Sequence, residues 1–298
     1  MGSGKSTLLT RNGLIELIED KNVASVIIPE HKDILQNTNT KGSFGAAIAS
    51  GYFGDNRHGN GELFFDHSRV ILPIQKGFWT NINASYMDGF NCPKQYIATK
   101  TPYSQAEIYP FWKMIWEHQS KTIVMLNILT MAGNQITYWH PQKGSSFQLK
   151  DLRITTFEIN RDHPNFEITK LIVTHKNGCS LLVHHFLYMK WQQDDMLPPV
   201  RDFLKFWLKI HSYNQLKVTS DIPKGYNSPI VVHCSDGLER SIVFCAVDIS
   251  ISQFLKTGKV NIFSVVSKLR RDRYDCLKNV DFYTFVYLTL YKYFIFYT

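Results

Sequence analysis

The stretch Pro229-Ile-Val-Val-His-Cys-Ser-Asp-Gly-Leu-Glu-Arg-Ser241 constrains this chain more than any other. Pro229–His233 is a short, nearly continuous apolar run, which predicts a strand buried on both faces. From Ser241 to Leu255 the residues Val243, Ala246, Val247, Ile251 and Phe254 recur at helical spacing, and Gly258 supplies a stop. Strand, tight loop and helix in that order place the loop at the carboxyl end of the strand, against the amino end of the helix. Such a loop turns successive backbone N–H groups toward one point, and the helix terminus adds positive potential, so an anion cradle is expected. Arg240 can grip two oxygens of an oxyanion in a fork. Cys234 faces the same potential. A free thiol of pKa about 8.5 is only a few per cent thiolate at neutral pH; lowered by about three it is almost wholly thiolate, hence nucleophilic. Ser235, Asp236, Gly237, Leu238 and Glu239 form the cradle. Ser241 is placed to hydrogen-bond the sulfur as a departing thiolate, and His233 to orient the loop. The plainer alternative is a core cysteine that merely precedes an arginine.

The rest of the chain predicts one α/β domain, a twisted mixed sheet flanked by helices. Gln105–His118 and Pro199–Tyr213 are amphipathic helices. Thr122–Leu129 is a buried strand, and Ile154–Ile159, Glu167–Thr174 and Ser180–Tyr188 alternate as strands, with a hairpin turn at Lys176-Asn177-Gly178. Phe282–Tyr297 reads as a buried C-terminal helix rather than a membrane span. Residues 1–60 are the least regular, with loops at Gln36–Ser43 and Gly51–Gly61 around a short helix. A tail or helix over 1–25 is expected to precede the domain at 26–298. With 298 residues the chain can bury a full core. Its five cysteines are widely spaced and lack zinc or disulfide patterns, which fits a reducing compartment and a cytoplasmic protein. No metal or cofactor is called for. The net charge of +8 suits an anionic partner, and equally a merely soluble surface.

Three further signals are weaker. Gly4-Lys5-Ser6 lacks the first glycine and the strand of a nucleotide-binding loop. Met1-Gly2-x-x-x-Ser6 matches an N-myristoylation pattern, which at Gly2 would give marginal membrane contact; a plain tail is the alternative. The basic run Lys268–Arg273 reads as a solvated helix end, with Arg270 paired to a carboxylate, rather than as an RNA contact.

The Cys234–Ser241 segment resembles the signature loop of the cysteine-dependent protein tyrosine phosphatases. Asp66-His67-Ser68-Arg69-Val70, Asn81-Ile82-Asn83-Ala84, Tyr96-Ile97-Ala98-Thr99, Phe111–Trp116, Ile123–Leu126, Tyr138-Trp139, His185-Phe186, Trp191 and Leu269-Arg270 follow in that family's order. The resemblance covers most of the chain. It is strongest toward the divergent tyrosine phosphatase-like proteins of bracoviruses, which would place the chain in infected insect cells. It implies hydrolysis of phosphotyrosine in proteins through a phosphocysteine on Cys234, by a monomer that needs no metal and does not act on nucleic acid. Some relatives with this loop act on RNA 5′-triphosphates, but Trp191 and the Asp66–Arg69 segment favour the tyrosine-specific branch.

The resemblance also exposes departures. The family's acid loop opens Trp-Pro-Asp; here it reads Trp191-Gln-Gln-Asp-Asp, with Gln193 where the acid belongs. Asp194 is the candidate substitute acid, Asp195 the fallback, and two solvated carboxylates the alternative. Losing the acid costs about 10²–10⁴ in rate. Trp191 anchors that loop. The tyrosine that stacks on substrate is replaced by His58, after Asn56-Arg57, and the aspartate that fixes the substrate backbone by Asn60. A glutamate that braces the signature arginine aligns with Met131, and water-positioning glutamines with Lys278 and Phe282. Glu239 replaces a glycine. With binding groups intact and turnover groups eroded, the chain is expected to be a slow phosphatase; the alternative is a pseudophosphatase that binds or traps phosphotyrosine proteins and disturbs host signalling.

Overall fold

The computed structural model describes residues 8–38, 42–43, 63–72, 82–126, 137–191, 197–215 and 228–298. In chain order these form β1 (Leu9–Thr10), α1 (Arg11–Glu19), α2 (Val23–Thr38), β2 (Ala84–Gly89), β3 (Cys92–Lys100), α3 (Gln105–Glu117), β4 (Thr122–Met125), β5 (Ser146–Leu149), β6 (Leu152–His163), β7 (Phe166–His175), β8 (Ser180–Tyr188), α4 (Val200–Gln215), β9 (Ile230–Cys234), α5 (Arg240–Thr257), β10 (Lys259–Val260), α6 (Ile262–Asp272) and α7 (Val280–Phe296).

Eight strands make one sheet in the order β2-β3-β9-β4-β8-β7-β6-β5, and β1 pairs with β10 separately. The centre is parallel: β9 lies between β3 and β4, and β4 pairs with β8. The flanks are antiparallel hairpins. Parallel strands must be covered on both faces, and β9 shows how. Val231 packs with Ile108, Phe111, Trp112 and Ile115 of α3 on one face, while Val232 and Cys234 pack with α4, α5 and α7 on the other. α5 is buried at every position from Arg240 to Ile251, so it is a core helix with no solvated stripe over that length. It stops where predicted, at Gly258, whose φ of 71° lets its N–H reach Phe254 O. Glu107 fixes the start of α3 by accepting the N–H groups of Tyr103 and Ser104 at 2.8 and 3.0 Å.

The N-terminal region departs from the expected short helix among loops. α2 is 16 residues long, carries Pro29 inside it, and continues through Gln36–Thr38. Ile27 and Ile34 are buried, and His31 Nε2 meets Leu277 O at 3.0 Å. Tyr283 and Tyr287 of α7 both donate to Glu30. Tertiary contacts with the C-terminal helices thus supply what the local sequence lacks. Among the described residues no helix is long and apolar enough to cross a membrane.

Asp248 of α5 is a buried carboxylate tied to three elements. It accepts from Tyr96 of β3 and from Trp207 Nε1 (2.8 Å) and His211 of α4. Burial alone would raise its pKa, but His211 and these bonds hold it below the usual value of 3.8. Burial likewise works against protonated His211, and Asp248 overcomes it, raising His211 above 6.5. The histidine's contribution is complete below its unfolded pKa and is lost as pH rises through the folded one. The aspartate's is present above its unfolded pKa and is lost as pH falls through the folded one. The stability gap between wild type and His211→Gln, measured by urea unfolding, is expected to be widest near about pH 5–6 and to narrow on the alkaline side.

Candidate active site

β9 ends at Cys234 and α5 begins at Arg240, so residues 235–239 turn the chain. The carbonyls of this turn are anchored outward. Thr101 donates to Cys234 O from its N–H (2.9 Å) and its hydroxyl (3.0 Å). Arg273 Nε donates to Gly237 O at 2.7 Å, and Leu277 N–H to Leu238 O at 3.0 Å. Glu239 O accepts the N–H groups of Ile242 and Val243 at 3.0 and 2.9 Å, the first bonds of α5. In a planar trans peptide the following N–H points opposite to the carbonyl. The N–H groups of Ser235, Leu238, Glu239 and Arg240 are therefore turned to the inner side of the loop. Gly237 makes the turn possible: its φ is 72°, and a Cβ there would sit 2.5 Å from the Thr99 backbone.

The Cys234 sulfur lies on that inner side, 3.5 Å from Ser241 Oγ and 3.3 Å from Asp236 Oδ1. The same Oδ1 accepts the Leu238 N–H at 2.8 Å. A carboxylate can only accept, so the thiol proton is given to Asp236 and the Ser241 hydroxyl donates to the sulfur. Arg240 is buried, its guanidinium carbon 5.9 Å from the centre of the Trp191 ring. Trp191 is itself fully buried against Phe203, Phe282 and Phe285. The tryptophan that opens the 192–196 segment thus lies against the arginine that opens α5. Tyr103, between β3 and α3, hydrogen-bonds Ser235 and lies near Cys234 and Asp236.

Beneath the loop is a polar wire. His233 Nδ1 is 2.8 Å from Thr101 Oγ1; its Nε2 is 2.7 Å from Tyr138 Oη, which is 2.6 Å from His185 Nε2. Thr101 uses its hydroxyl proton on Cys234 O, so His233 Nδ1–H donates to Thr101, Tyr138 donates to His233 Nε2, and His185 Nε2–H donates to Tyr138. Both imidazoles are neutral: burial lowers His185 to about 3 and carries His233 well below its ordinary value. His233 is thus linked through the Thr101 hydroxyl to the Cys234 carbonyl.

An arrangement of this kind can hold an oxyanion beside a sulfur; sequence comparisons show the family. The family model described as protein-tyrosine phosphatase matches residues 54–292. The chain belongs to the protein-tyrosine phosphatase family. It is 31% identical over 296 residues to tyrosine phosphatase-like protein J1 of Microplitis demolitor bracovirus, covering 97% of each chain. It is 29% identical to tyrosine phosphatase H2 of the same virus, covering 98% of this chain and 91% of the relative. Beyond the virus, it is 29% identical to rat tyrosine-protein phosphatase non-receptor type 9, covering 88% of this chain and 45% of that one.

Of the residues singled out in the sequence, Cys234, Ser235, Asp236, Gly237, Leu238, Glu239, Arg240, Ser241, His233 and Trp191 are brought together. Asp194, Asp195, Gln193, His58, Asn60 and Met131 lie outside the described residues. The thiol departs from expectation. Burial, and next the Asp236 carboxylate, push Cys234 up to about 11, opposed by the Ser241 hydroxyl and N–H. Loop amides and the helix terminus favour a thiolate, but the Asp236 carboxylate lies against the sulfur. At the observed 3.3 Å a thiolate and a carboxylate repel by about 5 kcal/mol at an effective dielectric of about 20, less after screening. Glu239 turns elsewhere: its Oε1 accepts the Lys278 N–H at 2.8 Å, and burial pushes it up to about 7.

The basic run is solvated only in part, at Lys268 and Arg271. Arg270 and Arg273 are buried; Arg270 donates to Thr38 Oγ1 (2.8 Å) and the Cys276 carbonyl, and Arg273 reaches Ser85 Oγ and Asn83 Oδ1 besides Gly237. Lys278 Nζ pairs with Asp275 at 2.7 Å and Phe282 packs under Trp191. Thr101, Tyr103 and Arg273 carried no sequence signal for their roles. Tyr138 and His185 did, as parts of family motifs.

Proposed function

We propose that the chain binds phosphotyrosine-bearing protein segments at the Cys234–Ser241 cradle and hydrolyses them slowly. The observation that carries this is the sulfur of Cys234 beside the Ser241 hydroxyl, in a loop whose Cys234, Gly237, Leu238 and Glu239 carbonyls are held from outside it. In the reaction the Cys234 thiol gives up its proton to water, the sulfur anion attacks phosphorus, an S–P bond forms, and the bond to the phenol oxygen breaks. The phenolate takes a proton from Asp194, with Asp195 as the substitute. Water then cleaves the S–P bond, releasing phosphate while Ser241 donates to the returning thiolate. Arg240 and the loop amides hold the phosphoryl oxygens. Similarity to bracovirus chains supports an infected host cell, with its cytoplasm, as the setting.

A second reading, a binder that traps phosphotyrosine proteins without turnover, is favoured by three observations. Asp236 lies against the sulfur, Lys278 is held by Asp275, and Phe282 is buried. On either reading kcat falls further than substrate affinity. The deciding experiment is an aryl-phosphate assay of wild type beside Cys234→Ala and Asp194→Ala. Turnover that vanishes in the first, drops by about 10²–10⁴ in the second and ignores EDTA supports the enzyme. Phosphopeptide binding with no turnover above Cys234→Ala supports the binder. Turnover typical of the family's efficient members contradicts the slow step.

A further inference from the structure

We propose that Asp236 is a built-in competitor for the phosphate: its carboxylate takes an oxyanion position in the cradle and keeps Cys234 a thiol until a phosphoryl group displaces it. This deepens the reading above and rests on it for the identity of the displacing group.

One atom carries the geometry. Asp236 Oδ1 bridges the Cys234 sulfur at 3.3 Å and the inward N–H of Leu238 at 2.8 Å. A phosphorus about to be attacked lies about 3–3.5 Å from its nucleophile, so Oδ1 occupies the space that the phosphoryl group needs. It also satisfies the loop as a phosphoryl oxygen does, as an anion that only accepts. The loop is fixed from outside by Thr101, Arg273 and Leu277, whereas Asp236 is half-exposed on a short side chain. Exchange therefore requires rotation of one side chain and leaves the cradle standing. Glu239 is not the occupant, because Lys278 holds its carboxylate.

The charged and titratable groups facing the sulfur are Asp236 in the loop, Tyr103 before α3, Cys245 on α5 and neutral His233 on β9, with Glu239 beyond Asp236. Of these, Asp236 alone contacts the sulfur and a cradle amide together. Two consequences follow at neutral pH. The thiol reacts slowly with alkylating agents and peroxide, and phosphoryl ligands bind against an internal anion.

The test is the pH profile of Cys234 alkylation by iodoacetamide in the full chain, read by mass spectrometry of the Cys234 peptide. Wild type, Asp236→Asn, Asp236→Ala and Glu239→Gln are compared, with and without inorganic phosphate. In both Asp236 variants the midpoint is expected to fall and alkylation at neutral pH to rise about 10- to 100-fold. Phosphate is expected to protect them at about tenfold lower concentration. Glu239→Gln is expected to move the midpoint far less. Midpoints and phosphate protection equal to wild type in both Asp236 variants would overturn the proposal. None of these readouts needs turnover, so a shifted midpoint in a chain without aryl-phosphatase activity would sink the enzyme reading alone and leave Asp236 in its role.

Discussion

Gly237→Ala is expected to destabilise the protein by about 3–5 kcal/mol and to abolish oxyanion binding. The cost has two sources. Residue 237 has a φ of 72°, which an L side chain adopts at a cost of about 1–2 kcal/mol. Its new methyl would also lie 2.5 Å from the carbonyl carbon and oxygen of Thr99, backbone of the neighbouring strand β3 that cannot turn aside. Relief requires the loop to lift, which breaks the 2.7 Å bond from Arg273 to Gly237 O and releases the N–H groups that the anchored carbonyls orient. Urea unfolding measures the first effect and vanadate titration the second. A variant of unchanged stability would show that the turn is looser than its geometry implies.

Arg240→Lys is expected to weaken vanadate binding by about 10²-fold with little change in fold. The guanidinium is buried beside the Trp191 ring at the first position of α5, and its planar fork can offer an oxyanion two N–H groups at once. An ammonium supplies one point charge, stacks poorly and loses the second donor, and losing a donor of this kind costs about 10²–10³. The measurement is the vanadate concentration that halves Cys234 alkylation in each protein, with thermal unfolding as the check on fold.

The parts that sequence revealed are those whose determinants are local. Pro229–Ser241 shows its strand as a dense apolar run, its turn through Gly237 and its helix by period, and each feature lies within a few residues of the next. The hairpin at Asn177-Gly178 and the helix beginning at Gln105 were legible for the same reason. What sequence concealed depends on partners far along the chain. α2 contains Pro29 and ends among polar residues, yet it forms because α6 and α7 cover it. Arg270 and Arg273 look like surface cations, since charge seldom buries; each is buried because carbonyls of Cys276 and Gly237 wait there. The high thiol pKa was hidden for a subtler reason. Sequence places Asp236 two residues from Cys234, but only the fold brings its oxygen to the sulfur.

The central claim is that Cys234 and Arg240 face one oxyanion-sized bowl. Vanadate protection of wild-type Cys234 from iodoacetamide tests it most directly, because it requires sulfur and guanidinium to serve the same ligand. At about one hundred times its dissociation constant, vanadate is expected to slow alkylation of Cys234 by about 100-fold while exposed Cys179 reacts at an unchanged rate. Alkylation of Cys234 at the same rate with and without vanadate would contradict the account.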